Sequence, residues 1–156
     1  MTATDATPEA ILHKAGASFE VFDHPPIRTY DDIRNNLDLP AECLLKTMAF
    51  RTETGFALAS LPILSKVAYG ALAKHLATSR SRLRPADAED LAELQMEVGG
   101  VSPLTSTADT TVVFDSAVTS MTQVYCGSGR ADRTIAIAVD ELIRVVDPAF
   151  AAIAVG

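Results

Sequence analysis

Residues 43–62, CLLKTMAFRTETGFALASLP, contain two apolar, partly alternating runs separated by the polar segment TETG. Two such runs on either side of a short turn-prone segment predict an antiparallel β-hairpin. Lys46 lies in the middle of the first run, where an isolated buried charge would cost several kcal/mol. Two interpretations are open. Either its aliphatic stem lies on apolar neighbours while the ammonium reaches water, or the ammonium faces a cleft where an anionic ligand supplies its partner.

Helical and strand patterns intermix along the rest of the chain. Besides the hairpin, strands are predicted around 18–24, 81–86, 110–115, 121–127 and 133–139. Helices are predicted over 8–15, 30–37 (capped by Thr29), 66–78 (capped by Ser65), 88–98 (from Asp87 to Gly99) and 140–147. Because no regular βαβ repeat is present, the pattern predicts an α+β fold. We expect one domain over 1–156, with a mixed, partly closed β-barrel-like sheet surrounded by helices.

Composition restricts the class of protein. The chain has 156 residues, of which 48% are hydrophobic and 21% charged, as expected for one soluble domain. A net charge of −7 argues against binding long stretches of nucleic acid by backbone electrostatics. The basic cluster Lys74, Arg80, Arg82 and Arg84 is either a solvated surface or a phosphate-tracking patch. Residues 1–10 contain no signal-peptide pattern, which predicts a cytoplasmic protein without a membrane anchor.

The cysteines and histidines form no metal-binding motif. Cys43 and Cys126 are too few for a disulfide framework, and neither an HExxH nor a CxxC pattern is present. We therefore expect reduced thiols and no metal. A hydrolase that uses Cys126 as nucleophile is an alternative, but it needs a neighbouring base that the sequence does not identify. A buried structural cysteine is the favoured interpretation.

Three further segments could contribute to a site. In EVGGVSPLT (97–105), two glycines could present several N–H groups to an oxyanion, or could simply end a helix. CGSGRAD (126–132) is a hairpin turn or a weak phosphate-binding pattern. His24, at a strand end beside two prolines, could face a pocket or be structural.

The order of these features resembles a known family. LLKTMAF, followed about fifty residues later by GGVSPL, resembles the YbaK/prolyl-tRNA-synthetase-associated editing domain family. DHPPIRT, RLRPADAEDLAEL, VVFDSAV and VYCGSGRADRTIAIAVDEL resemble other elements of that family, from about residue 8 to 147. The resemblance implies a free-standing aminoacyl-tRNA deacylase that removes a mischarged small amino acid, of the cysteine or alanine class, most often from tRNA(Pro). It also implies that no metal or organic cofactor is used.

The resemblance implies a set of site residues and partners. The residues with an implied catalytic role are Lys46, Gly99, Gly100 and Ser102. Those with an implied role in substrate binding are His24, Thr47, Val101, Pro103, Gly127 and Ser128. The implied partners are the acceptor end of an aminoacylated tRNA and an aminoacyl-tRNA synthetase, with no membrane. Thr47 stands where the alanine-clearing branch commonly has Asn, which favours cysteine without excluding alanine. A non-catalytic binding module of the same fold remains an alternative.

Overall fold

The computed structural model describes residues 7–27, 29–36 and 39–155. These residues form five α-helices and ten β-strands. The helices are α1 (Pro8–Lys14), α2 (Tyr30–Asn36), α3 (Tyr69–His75), α4 (Ala88–Glu93) and α5 (Val139–Val146). The strands are β1 (Phe19–Asp23), β2 (Leu45–Arg51), β3 (Phe56–Pro62), β4 (Lys66–Val67), β5 (Arg84–Pro85), β6 (Thr110–Asp115), β7 (Gln123–Gly127), β8 (Arg133–Ala138), β9 (Ala149–Ala151) and β10 (Ala154–Val155). In the described part of the chain, no helix is long and apolar enough to cross a bilayer.

The strands form two larger sheets and one short pair. The five-stranded sheet has the order β5-β2-β3-β6-β9 and is mixed, since β2 runs antiparallel to β3 whereas β6 runs parallel to β3. The second sheet, β1-β8-β7, is antiparallel throughout, and β4 pairs with β10. The predicted α+β fold with a mixed sheet and surrounding helices is confirmed. Over the described ranges, the strands do not close into a complete barrel.

The predicted hairpin is present as β2 and β3. Lys46 lies opposite Leu61 in its register. The turn is held by the Thr52 N–H, which donates to the Gly55 carbonyl (2.8 Å). At the other end of the hairpin, Leu44 forms a parallel bridge with Tyr125. This bridge brings the start of β2 against β7, so the two larger sheets meet where Lys46 lies.

Apolar side chains fill the space between the sheets and the helices. One cluster joins α1, β7, β8 and α5 and includes the fully buried Leu12, Ile135 and Leu142. A second cluster lies between the five-stranded sheet and α3, where Phe50 packs edge-on against Tyr69. The first cluster also contains Leu45 of β2 and Phe114 of β6. It therefore packs the two larger sheets against each other, which sets the shape of the space at their junction.

Two predicted helices have wrong boundaries. Ser65 does not cap α3, because Lys66 and Val67 pair with β10 and the helix begins only after Ala68. The helix predicted to reach residue 98 ends at Glu93, where the Met96 N–H turns back to the Leu91 carbonyl (2.9 Å). Val98 is therefore 49% exposed instead of being part of an apolar helix face.

Two predicted helix caps agree with the structure. The Thr29 hydroxyl accepts from the Asp32 N–H (3.1 Å) at the start of α2. Asp87 caps α4 in a capping box with Asp90. Helix α5 ends at Val146, one residue before its predicted end at 147. Leu37, the predicted last residue of α2, lies outside the described residues.

Candidate active site

A cleft opens at the junction of the two larger sheets. Its volume is about 430 Å³, which is in the range of small-ligand sites. Strands β2, β7 and β8 and the loop at 99–101 form its wall. The lining residues are His24, Ile27, Thr29, Ile33, Leu44, Leu45, Lys46, Thr47, Met48, Ile63, Gly99, Val101, Tyr125, Cys126, Gly127, Ala131, Arg133 and Thr134. These residues enclose the space called the cleft.

Lys46 supplies a cation that no acid in the described structure pairs with. The side chain is half-buried on β2 and lines the cleft. Burial lowers the pKa of its ammonium, and repulsion from Lys66 lowers this pKa further. The described part of the cleft wall contains no Asp or Glu. The other cation in the described part of the wall, Arg133, pairs with Glu9 (2.9 Å) and Asp23 (2.7 Å).

The glycine loop is held against the turn that follows β7. The Gly129 N–H donates to the Gly100 carbonyl (2.7 Å), and the Glu97 N–H donates to the Gly129 carbonyl (2.8 Å). The Glu97 carboxylate accepts from the Ala131 N–H (2.8 Å). A side chain at Gly100 would overlap the backbone of Arg130, so glycine is required for this close approach.

Some backbone N–H groups of this loop donate hydrogen bonds within the described structure, and others have no acceptor there. The Gly100 N–H donates to the Glu97 carbonyl (2.9 Å), and the Ser102 N–H donates to the Met96 sulfur (3.4 Å). In contrast, the N–H groups of Gly99 and Val101 have no protein acceptor in the described structure. Gly99 and Val101 both line the cleft, and Gly99 has the left-handed φ of 87°. An acceptor atom of a ligand could therefore receive these two hydrogen bonds.

The structure places the predicted site residues in two groups. Six of them line the cleft: Lys46, Gly99, His24, Thr47, Val101 and Gly127. The other four do not line it: Gly100, Ser102, Pro103 and Ser128. Ser102 is fully buried, and its hydroxyl accepts from the Leu104 N–H (3.2 Å). The buried Ser128 hydroxyl donates to the Arg133 carbonyl (2.7 Å), so these residues shape the loops behind the cleft wall.

His24 and Thr47 each make a side-chain hydrogen bond at the cleft. The His24 Nε2 lies 2.7 Å from the Thr134 hydroxyl, and its Nδ1 lies 2.8 Å from the Pro25 carbonyl oxygen. Thr47 is only 8% exposed, and its hydroxyl lies 2.8 Å from that of Ser60.

The sequence profile of the aminoacyl-tRNA editing domain matches residues 24–145. The chain belongs to the aminoacyl-tRNA editing domain family. This span contains every residue predicted for the site, and the predicted resemblance to an editing-domain family is confirmed. No curated protein matches this chain in sequence.

Solved structures share the editing-domain fold. A candidate trans-editing enzyme for prolyl-tRNA synthetase is 19% identical, with a TM-score of 0.81 over 95% of this chain and 94% of its own. The hypothetical protein APE2540 is 20% identical, with a TM-score of 0.80 over 94% of this chain and 98% of its own. At these identities the likeness establishes the fold alone.

Cys126 lies in the cleft wall of this editing domain but is poorly suited to be a nucleophile. It is 2% exposed, and burial raises the pKa of its thiol to about 12. No described side chain within hydrogen-bond distance is a base for it. Because the thiolate is the reactive form, the structure does not favour the cysteine-dependent alternative.

Most residues of the basic cluster contact acidic or aromatic side chains of this same editing domain. Arg82 pairs with Glu53 (2.7 Å), and Arg84 pairs with Asp87 (3.4 Å) and with Asp90. The Arg80 guanidinium lies over the Tyr69 ring. These contacts favour the interpretation of the basic cluster as a solvated surface over that of a phosphate-tracking patch. In the described residues, no group of three or more His, Cys, Asp or Glu could hold a metal ion.

Sequence reasoning missed Tyr125 and Thr134 in the cleft wall. Both residues lie within the segment VYCGSGRADRTIAIAVDEL, and the hairpin of β7 and β8 places them together. Thr134 pairs with Gly127 in the register, and Tyr125 is two residues before Gly127 on the same face. Alternation along these two strands was the signal that could have identified both residues.

Proposed function

We propose that this editing domain is a trans-editing aminoacyl-tRNA deacylase. It hydrolyses the ester between a mischarged small amino acid, of the cysteine or alanine class, and the terminal ribose of a tRNA, with tRNA(Pro) as carrier. The proposal places the protein in the cytoplasm, with an aminoacyl-tRNA synthetase supplying further contacts to the tRNA. One neighbouring structure is described as a candidate trans-editing enzyme for prolyl-tRNA synthetase. The proposal extends that activity to this chain.

The observation that carries the proposal is the pairing of an uncompensated cation with two unoccupied N–H groups in one cleft. Lys46 meets no acid in the described wall. Gly99 and Val101 line the same cleft, and their N–H groups have no protein acceptor in the described structure. The 3′ end of an aminoacylated tRNA carries a phosphate and an ester carbonyl, which need a cation and hydrogen-bond donors respectively. The substrate therefore supplies what the free protein lacks.

The chemistry needs no protein nucleophile. With Lys46 on the phosphate or ribose oxygens, the ester carbonyl can lie against the N–H groups of Gly99 and Val101. Water attacks the carbonyl carbon, and the negative charge that develops on the carbonyl oxygen is stabilised by these fixed dipoles. The bond to the ribose oxygen then breaks, and that oxygen takes a proton. An aminoacyl ester is intrinsically labile, so positioning and oxyanion stabilisation can supply the acceleration.

The cleft wall supports a small acyl group. Apolar side chains such as Leu44, Leu45 and Ile63 border the same space as Lys46. An acyl side chain that lies among these residues meets apolar groups, which suit the short, uncharged side chains of cysteine and alanine. Thr47 stands in this wall and is almost fully buried, consistent with a cysteine or alanine side chain.

The test is hydrolysis of tRNA(Pro) charged separately with cysteine, alanine, serine and proline. We expect the wild type to release cysteine or alanine well above the rate in buffer and to leave prolyl-tRNA(Pro) intact. Lys46→Met keeps the aliphatic stem but removes the charge, and we expect it to lower kcat/KM by about 100-fold or more.

Lys74→Met is the matched control, because Lys74 is an exposed lysine on α3 that does not line the cleft. This variant should keep the kcat/KM and the melting temperature of the wild type, and Lys46→Met should melt at or above the wild-type temperature. If the wild type releases none of the four amino acids faster than buffer does, the proposal is wrong for these substrates and the non-catalytic binding module is favoured.

A further inference from the structure

The charges around the cleft restrict how an aminoacyl group can lie in it. The described wall contains Lys46 and Arg133 but no carboxylate, and Arg133 is already paired with Glu9 and Asp23. An aminoacyl ester brings an α-amino group into this space. In the ammonium form, that group would meet Lys46 without a counter-charge, so the cleft favours the neutral amine. A neutral amine still needs a hydrogen-bond acceptor for its N–H groups.

The direction of the hydrogen bonds of His24 is determined by its partners. The Pro25 carbonyl oxygen can only accept, so His24 Nδ1, at 2.8 Å, must carry the hydrogen. In the neutral imidazole the other nitrogen, Nε2, is then an acceptor. Its partner at 2.7 Å is the Thr134 hydroxyl, which therefore donates to His24.

This arrangement makes the Thr134 oxygen an acceptor toward the cleft. Its only hydrogen points at His24, and its lone pairs remain for a ligand. For the other threonines in the described wall, no partner fixes the hydroxyl hydrogen in this way. Thr47 can donate to Ser60 or accept from it, and Thr29 already accepts from the Asp32 N–H.

We propose that the Thr134 hydroxyl oxygen accepts a hydrogen bond from the neutral α-amino group of the aminoacyl ester, with its orientation set by His24. Thr134 is thereby a specificity residue that distinguishes aminoacyl esters from acyl esters without an amino group. This inference rests on the proposed deacylase function, since it assigns one contact of the same substrate.

The experiment compares matched substrates that differ only in the amino group. The pairs are alanyl-tRNA(Pro) with propionyl-tRNA(Pro), and cysteinyl-tRNA(Pro) with 3-mercaptopropionyl-tRNA(Pro). Each kcat/KM is divided by the rate of that ester in buffer, which corrects for its intrinsic reactivity. The pair used is the one whose aminoacyl member the wild type hydrolyses faster. Wild type, Thr134→Val and Thr134→Ser are measured together.

We expect the wild type to prefer the amino substrate by about tenfold, as for one hydrogen bond lost in a partly buried site. Thr134→Val has the same shape without the hydroxyl, and it should reduce the preference to less than about threefold. Thr134→Ser should restore the preference. The deamino ester also reports folding, because a merely unfolded variant would lose activity on both esters.

Two results overturn the inference alone: a wild type that hydrolyses both esters equally, or a Thr134→Val variant that keeps the full preference. A wild type that hydrolyses neither member of either pair overturns the proposed function, and this inference with it. The two failures are therefore distinguishable.

Discussion

Lys46 is a cation whose environment destabilises its charged form. Burial and Lys66 both lower the pKa of its ammonium, whereas an unfolded lysine titrates near about 10.4. Between the folded and unfolded pKa values, the unfolded chain binds more protons, so the free energy of unfolding rises with pH in that window. Below the folded pKa, the charged lysine carries the full cost of burial.

We therefore expect Lys46→Met to be at least as stable as the wild type at neutral pH. Its advantage should shrink as the pH rises through the lowered pKa of Lys46 toward about 10.4. Urea denaturation across this range measures the difference, with Lys74→Met as the exposed control. A Lys46→Met protein clearly less stable than the wild type at neutral pH would show that the ammonium has a stabilising partner.

Cys126 should be dispensable for activity. At neutral pH a thiol with a pKa of about 12 has almost no thiolate. We expect Cys126→Ala to keep kcat/KM within about threefold and to lose about 1 kcal/mol of stability from the small cavity it leaves. Cys126 should also react with iodoacetamide much more slowly than the partly exposed Cys43. Loss of activity in Cys126→Ala with an unchanged melting temperature would revive the cysteine-dependent alternative.

At the scale of elements, the close contact between β7 and the glycine loop forms one side of the cleft. A Cβ at Gly127 would overlap the Val101 carbonyl, so Gly127→Ala must move the loop away from the strand. We expect at least about 2 kcal/mol of destabilisation and a large loss of kcat/KM. Thermal unfolding and the deacylation assay measure the two effects.

Gly70→Ala is the matched control for this substitution. Gly70 lies in α3, and a Cβ there would have no neighbour within 4 Å. It should leave activity unchanged and stabilise the protein by up to about 1 kcal/mol, since alanine is the better helix former. If Gly127→Ala behaves like Gly70→Ala, the loop does not depend on this contact.

The two errors in predicting helix boundaries have different causes. Local propensity and periodicity located the hairpin of β2 and β3 and most strands correctly. The start of α3 was wrong because Lys66 and Val67 pair with β10, about ninety residues away in sequence. A sequence pattern within a short segment does not identify such a distant pairing partner. The end of α4 was wrong because the chain turns at Gln95, which has a left-handed φ of 61°.

At the scale of the whole molecule, the charge distribution predicts weakly salt-dependent binding. The net charge is −7, and most of the basic cluster is paired with acids or stacked on a ring. Few phosphates can then be neutralised, mainly through Lys46. We expect log K for the tRNA acceptor end to fall with log salt at a slope of about −1 to −2. Binding measured between about 50 and 300 mM NaCl tests this; a slope steeper than about −5 would indicate an extended phosphate-binding surface.

The sequence by itself determined the α+β class, the β2–β3 hairpin with a lysine inside it, the glycine loop and the family resemblance. These features depend on local propensity and on motifs that are continuous in the chain. Only the tertiary structure decided which groups share the cleft. It showed that Gly99 and Val101 line the cleft with unoccupied N–H groups while Gly100 and Ser102 support the loop, and that Thr134 faces His24 across 110 residues. The reason is physical: a hydrogen bond between distant segments depends on how the sheets pack, and the sequence near either partner does not contain that information.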